Sequence, residues 1–129
     1  KMKRICVFMN VFNVHINRSP VSGSIKDIVY KEGQFLNASL DKASEKNERS
    51  SLVISSKNGP EIVVVQIAGL IARRILGFVS ANDNLVQGER FGLIRFGSRV
   101  DIYMPLDAVT KCSIGDKVVA GESVLATFK

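Results

Sequence analysis

Few groups in this chain could do chemistry, and they are scattered along it. His15 is the one histidine, and Cys6 and Cys112 are the two cysteines of a 129-residue chain. Two thiols so far apart have neither a zinc-site spacing nor a disulfide framework. A reduced protein is therefore expected and metal is set aside. A lone histidine in an apolar stretch such as "FNVHINR" is more often a packed residue than a catalyst. Its ordinary pKa of ~6.5 would still suit a general base at neutral pH. A base needs a hydroxyl within reach, and Ser19, Ser22, Ser24 and Ser98 are candidates.

Ser98 has the most unusual context. It follows Gly97 in "RFGSRVD", within a stretch that otherwise reads as strand: Phe91, Leu93, Ile94 and Phe96 before it, Val100, Ile102 and Tyr103 after it. Glycine weakens a strand interior and often marks a bulge or a close backbone approach. Without a Cβ, Gly97 also leaves its carbonyl open to attack. A Gly-Ser bond held in a strained bend can undergo an N-to-O acyl shift, in which the Ser98 hydroxyl attacks the Gly97 carbonyl and forms an ester. A nearby base would take the hydroxyl proton, and backbone or side-chain donors would hold the oxyanion. Elimination from the ester gives a dehydroalanine, which hydrolyses to an N-terminal pyruvoyl group. For an arbitrary Gly-Ser pair, a bulge followed by a solvated serine is the commoner outcome.

The elements that would position these groups read as β. "RICVFMNVFNVHI", Arg4 to Ile16, is one or two strands. "SIKDIVY" is a half-buried strand, although Ile25, Ile28 and Tyr30 do not keep a strict period of two. "NASLDKASEKNERS" is either a loop or a short solvated helix. "SLVISSKNGPEIVVVQIAG" is a hairpin, two β-branched runs around a turn in which Asn58-Gly59 supplies positive φ. "LIARRILGFV" fits strand or helix. Further glycine turns are expected at Gly88, at Gly115-Asp116 and at Gly121-Glu122. Short strands separated by glycine turns predict a mainly β fold, a barrel or sandwich with few or short helices, in one domain over residues 1–129.

Composition agrees and narrows the partners. The chain is 46% hydrophobic and 23% charged, which suits a globular domain. Its net charge is +6, which favours an anionic partner such as nucleic acid or an acidic membrane surface. The lysines and arginines are dispersed and not interleaved with aromatics, so nucleic acid is not expected. The longest apolar run, "IVVVQIAGLIA", is broken by Gln66, stopped by Arg73-Arg74, and shorter than the ~20 residues a bilayer span needs. The start, "KMKRICVFMN", enters a strand directly and is no signal peptide, so the chain is expected to be part of something longer.

Two resemblances sharpen this reading. "SIGDKVVAGESVLATF" resembles the half-barrel of biotinyl and lipoyl carrier domains. That implies a barrel-sandwich-hybrid fold with Val118, Val124 and Leu125 facing the core. It also leaves open a non-catalytic carrier or binding module, although no carrier lysine flanked by methionines is present. More specifically, "FMNVFNVHINRSPVSGSI", "FLNASLDKASEKNERS", "VVVQIAGLIARRI" and "GERFGLIRFGSRVDIYMP", in this order, resemble the phosphatidylserine decarboxylase family in its short bacterial form.

The family resemblance implies a pyruvoyl-dependent carboxy-lyase made from a proenzyme. Ser98 would become the pyruvoyl group after self-cleavage at Gly97-Ser98. His15 would be the base for processing, and Arg18 and Arg49 would bind substrate. The products would be a large piece ending at Gly97 and a small piece, 98–129, that stay together as a heterodimer, with further dimerisation left open. The substrate would be phosphatidylserine in an anionic membrane, met peripherally on the cytoplasmic face of the bacterial inner membrane. Family members also carry an upstream membrane-associating stretch and an aspartate that orients the histidine. Neither is in this sequence; Asp27 and Asp101 do not match that aspartate, and Arg99 stands where longer members have threonine.

Overall fold

The structure, a computed structural model, describes residues 2–9, 16–38, 43–57, 59–69, 75–94, 98–120 and 122–128. Its strands are β1 (Lys3–Met9), β2 (Ile16–Arg18), β3 (Gly23–Lys31), β4 (Arg49–Ser56), β5 (Glu61–Ile67), β6 (Ile75–Gly77), β7 (Asn84–Leu85), β8 (Arg90–Ile94), β9 (Ser98–Met104), β10 (Val109–Thr110) and β11 (Ala126–Thr127). One four-residue helix, α1 (Ala43–Lys46), interrupts them. The fold is mainly β, as the turn-rich sequence predicts.

Three antiparallel sheets organise the described residues. A six-stranded sheet has the order β1-β9-β5-β4-β3-β7, a three-stranded sheet the order β2-β8-β6, and β10 pairs with β11 in a short ribbon. The core lies between the two larger sheets. Leu52, Ile54, Ile62, Val64, Val100, Ile102 and Met104 from the long sheet meet Phe91 and Ile94 from β8. These side chains are buried by the alternation of the strands, and their removal from water is the main favourable term in folding.

The β4–β5 hairpin is present, with Arg49 opposite Ile67 at one end and Ser55 opposite Glu61 at the other. Asn58 in its turn lies outside the described residues. The imperfect period of "SIKDIVY" has a local cause. The β3–β4 register shifts between Ile25 and Asp27, so Lys26 is an extra residue in a bulge. Ile25 then pairs with Ile54 and Ile28 with Leu52, and both isoleucines keep to the core face despite a spacing of three. Lys26 points to solvent, where its Nζ lies 2.6 Å from Glu61 Oε2. The turns at Gly88 and Gly115 have φ of 87° and 94°, a region that favours glycine; Gly121 lies outside the described residues.

The carrier-like C-terminal segment departs from its expected packing. Leu125 packs against the core and Val118 is half-buried, but Val124 is 61% exposed. The reason is that this segment forms only the two-residue strands β10 and β11, with turns between them, so it lacks the alternation that would turn Val124 inward.

Candidate functional site

Ser98 opens β9, an interior strand of the long sheet, between β1 and β5. Its Cα partner on β1 is Met9, and on the other side β9 pairs with β5 from Arg99↔Ile67 to Tyr103↔Val63. Ser98 is 1% exposed. Alternation puts it on the same sheet face as Val100, Ile102 and Met104, the face that carries the core. Gly97 and the residues of "RFG" lie outside the described residues, as does His15. The structure thus places the serine of the expected pair but describes neither its glycine nor its base.

The strand that follows His15 in sequence, β2, is nonetheless held close to Ser98. Asn17, two residues on from His15 in sequence, sits on β2 and is buried. Its Nδ2 donates to the sulfur of Met9, the cross-strand partner of Ser98, at 3.7 Å. Its Oδ1 accepts from Gln66 Nε2 at 2.7 Å. Gln66 is buried on β5, where it pairs with Val100, two residues from Ser98 on the same face. The two carboxamides therefore bridge the two large sheets at the end of β9. Room for them depends on Gly92 opposite Asn17, where a Cβ would lie 2.5 Å from Gln66 Nε2 and 2.7 Å from the Leu76 carbonyl oxygen.

A second buried polar group lies on the other face of the same strands. Arg99, 2% exposed, and Asp101, fully buried, form a two-pronged ion pair: Nε to Oδ1 at 2.8 Å, and Nη2 to Oδ2 at 3.1 Å. Arg99 Nη1 donates to the carbonyl oxygen of Ala38 at 3.0 Å, and the guanidinium lies 5.7 Å from the centre of the Phe8 ring. Arg4 Nη1 stands 3.8 Å from Asp101 Oδ2. Beside them, burial and then the hydrogen bond it gives to Asp101 push the Cys6 thiol above its ordinary value. Cys6 and Cys112 are both free thiols.

The remaining expected residues are placed as follows. Arg18 is exposed at the end of β2, and its Nη1 donates to the Gly88 carbonyl oxygen at 2.9 Å. Arg49 begins β4 and pairs with Ile67, which pairs with Arg99, so it shares the Arg99 face and not that of Ser98. Its Nη1 donates to the carbonyl oxygens of Glu45 and Asn47. Among the other candidate hydroxyls, Ser19 Oγ donates to the Val21 carbonyl oxygen at 2.7 Å. Ser22 and Ser24 line a groove of about 670 Å³ with Ser55, Ser56 and Lys57. That groove lies at the far end of β4 from Arg49, roughly 20 Å along the sheet at the rise of an extended strand.

Sequence reading passed over Gln66, Asn17 and Asp101 as site residues. The one signal for Gln66 is its place as a polar residue inside the run "VVVQIAG". The pairing of Arg99 with Asp101 had the spacing of two that puts side chains on one strand face.

Compared with known proteins, the chain is matched over residues 1–126 by the family model described as phosphatidylserine decarboxylase. No solved structure matches it.

Proposed function

The chain belongs to the phosphatidylserine decarboxylase family, and from that premise we propose that Ser98 is both its self-cleavage point and the source of a covalent pyruvoyl group. The family is one of carboxy-lyases acting on a phospholipid, which displaces the carrier-module reading. The observation that carries the proposal is the position of Ser98: buried, at the first residue of an interior strand, with upstream strands hydrogen-bonded on both sides.

In processing, Ser98 Oγ attacks the carbonyl carbon of Gly97 while His15 takes the hydroxyl proton. The peptide C–N bond breaks as the ester forms, leaving an amino group on residue 98. Loss of the Cα proton expels the carboxylate of Gly97, and the resulting enamine takes up water and releases ammonia. Burial of Ser98 keeps bulk water from the ester, and the Gln66–Asn17 bridge holds β2, the strand that follows His15 in sequence, against this end of β9.

A pyruvoyl group at residue 98 fits the site as the head of β9, because the residues after it, from Arg99 on, keep their partners on β1 and β5. Its chemistry would be that of an electron sink for the electrons left as carbon dioxide departs. The chain's own residues bind and orient substrate. We assign the head-group phosphate to Arg18, whose described bond uses Nη1 alone among its donors. Arg49 is the second candidate, across the sheet. The charge of +6 suits an anionic bilayer, and we place the protein peripherally on the cytoplasmic face of a bacterial inner membrane, as the family resemblance implies. Among the described residues, no helix is long and apolar enough to cross a membrane.

The test uses vesicles of phosphatidylserine labelled at the serine carboxyl. Release of labelled carbon dioxide is expected from the protein and not from Ser98→Ala. Phenylhydrazine, a carbonyl reagent, should stop the release and add its mass less one water to the small fragment, as a hydrazone forms. Release by Ser98→Ala would overturn the assignment.

A further inference from the structure

We propose that Arg99 is a clamp that holds the new N-terminus of β9 in place once the chain has been cut. The proposal rests on cleavage at Gly97-Ser98. A cut there turns residue 98 from an interior residue into a chain end, and chain ends fray unless tied down. Fraying at this end would carry the reactive residue out of its site. Something must replace the lost covalent tether.

Arg99 is one residue from the cut and its side chain is tied on three sides. The two-pronged pair to Asp101 stiffens β9 against itself, since both residues belong to the small fragment. The bond to the Ala38 carbonyl oxygen and the contact with the Phe8 ring reach two separate parts of the large fragment. Neighbours on a strand face opposite ways, so Arg99 anchors from the face opposite Ser98 and leaves the reacting face unobstructed.

The energetics also favour a geometric role over a stabilising one. A buried ion pair gains little over well-packed apolar residues of similar volume, because both charges must leave water. What the guanidinium fork adds is a fixed direction: its donors lie in one plane, with Nη1 and Nη2 hydrogen-bonded and Nε in ion-pair contact with Asp101 Oδ1. A residue that only filled space at position 99 would hold the strand less well at its tip. Arg99 is thus a positioning residue for whatever stands at position 98.

The test compares cleaved and uncleaved forms of the whole protein. Arg99→Met/Asp101→Leu removes both charges together, so no buried charge is left without its partner. The variant is made in the cleaving protein and again with Ser98→Ala, which does not cleave. The urea midpoint of unfolding is read for all four proteins. The clamp predicts a clearly larger fall in midpoint in the cleaved form than in the Ser98→Ala form. It also predicts a decarboxylation kcat lower by on the order of tenfold or more, with KM little changed, as expected of a misplaced reacting group. Arg99→Lys, which keeps the charge without the fork, should fall in between.

Equal falls in the two forms would mean an ordinary structural role and overturn the clamp while leaving the proposed function intact. Loss of cleavage in the double variant would place the action of Arg99 before the cut and also overturn it. An intact chain in the parent protein would overturn the proposed function, and the clamp with it.

Discussion

At the scale of single residues, Ser98 was legible because its chemistry is local: glycine then serine, in a run that otherwise reads as strand. The ion pair one residue further on was not. Arg99 and Asp101 are charged, and charged side chains are almost never fully buried unless paired, so the default reading of both is a solvated face. Only the sheet order brings Phe8 to Arg99, and only the tertiary fold brings the loop residue Ala38 there. Tyr30 shows the same limit in an exposed setting. Its hydroxyl donates to Glu48, and that bond, followed by partial burial and the charge of Glu48, raises the phenol from 10.0 to about 12. A raised folded pKa means the bond contributes stability at pH below 10 and loses it as pH climbs toward 12. Ultraviolet titration should therefore show a tyrosine component with a midpoint near 12 that disappears in Tyr30→Phe. A titration unchanged by that substitution would refute the contact.

At the scale of elements, the hairpin of β4 and β5 could be read directly, because β-branched runs on both sides of a turn specify it without help from the rest of the fold. The bulge at Lys26 could be glimpsed only as an irregular period, since a bulge is a property of two strands. Val124 departs for a related reason: the carrier-domain resemblance implies an inward-facing valine, but the segment holds only two-residue strands and leaves it exposed. The most consequential element-level feature is the carboxamide bridge from Gln66 to Asn17, which ties β5 to β2. Replacing one partner strands the other in a buried site, at a cost of about 1–3 kcal/mol. Gln66→Leu and Asn17→Leu should each lower stability by that order, and the double variant by less than the sum. Both single variants should also slow cleavage at Gly97-Ser98, as the bridge holds the strand next to His15. Additive losses in a thermal or urea melt, with cleavage at the parent rate, would show the bridge to be packing alone.

At the scale of the whole molecule, the mainly β class followed from the spacing of turns, but the strand order did not. β9 lies between β1 and β5, with most of the chain between β1 and its partner, and pairings so distant leave no local mark on sequence. That order has a functional consequence. A cut before Ser98 leaves β9 hydrogen-bonded to strands of the other fragment along both edges, with seven pairs to β1 and five to β5. The two pieces should therefore remain one folded body and separate only when it unfolds. The central claim, that this fold is built around a bond meant to be broken, is tested most directly by the denatured intact mass of the protein as its gene encodes it. The account predicts two masses divided between Gly97 and Ser98, the smaller with an N-terminus blocked to Edman degradation. A single unbroken mass from a folded sample that decarboxylates phosphatidylserine would contradict it.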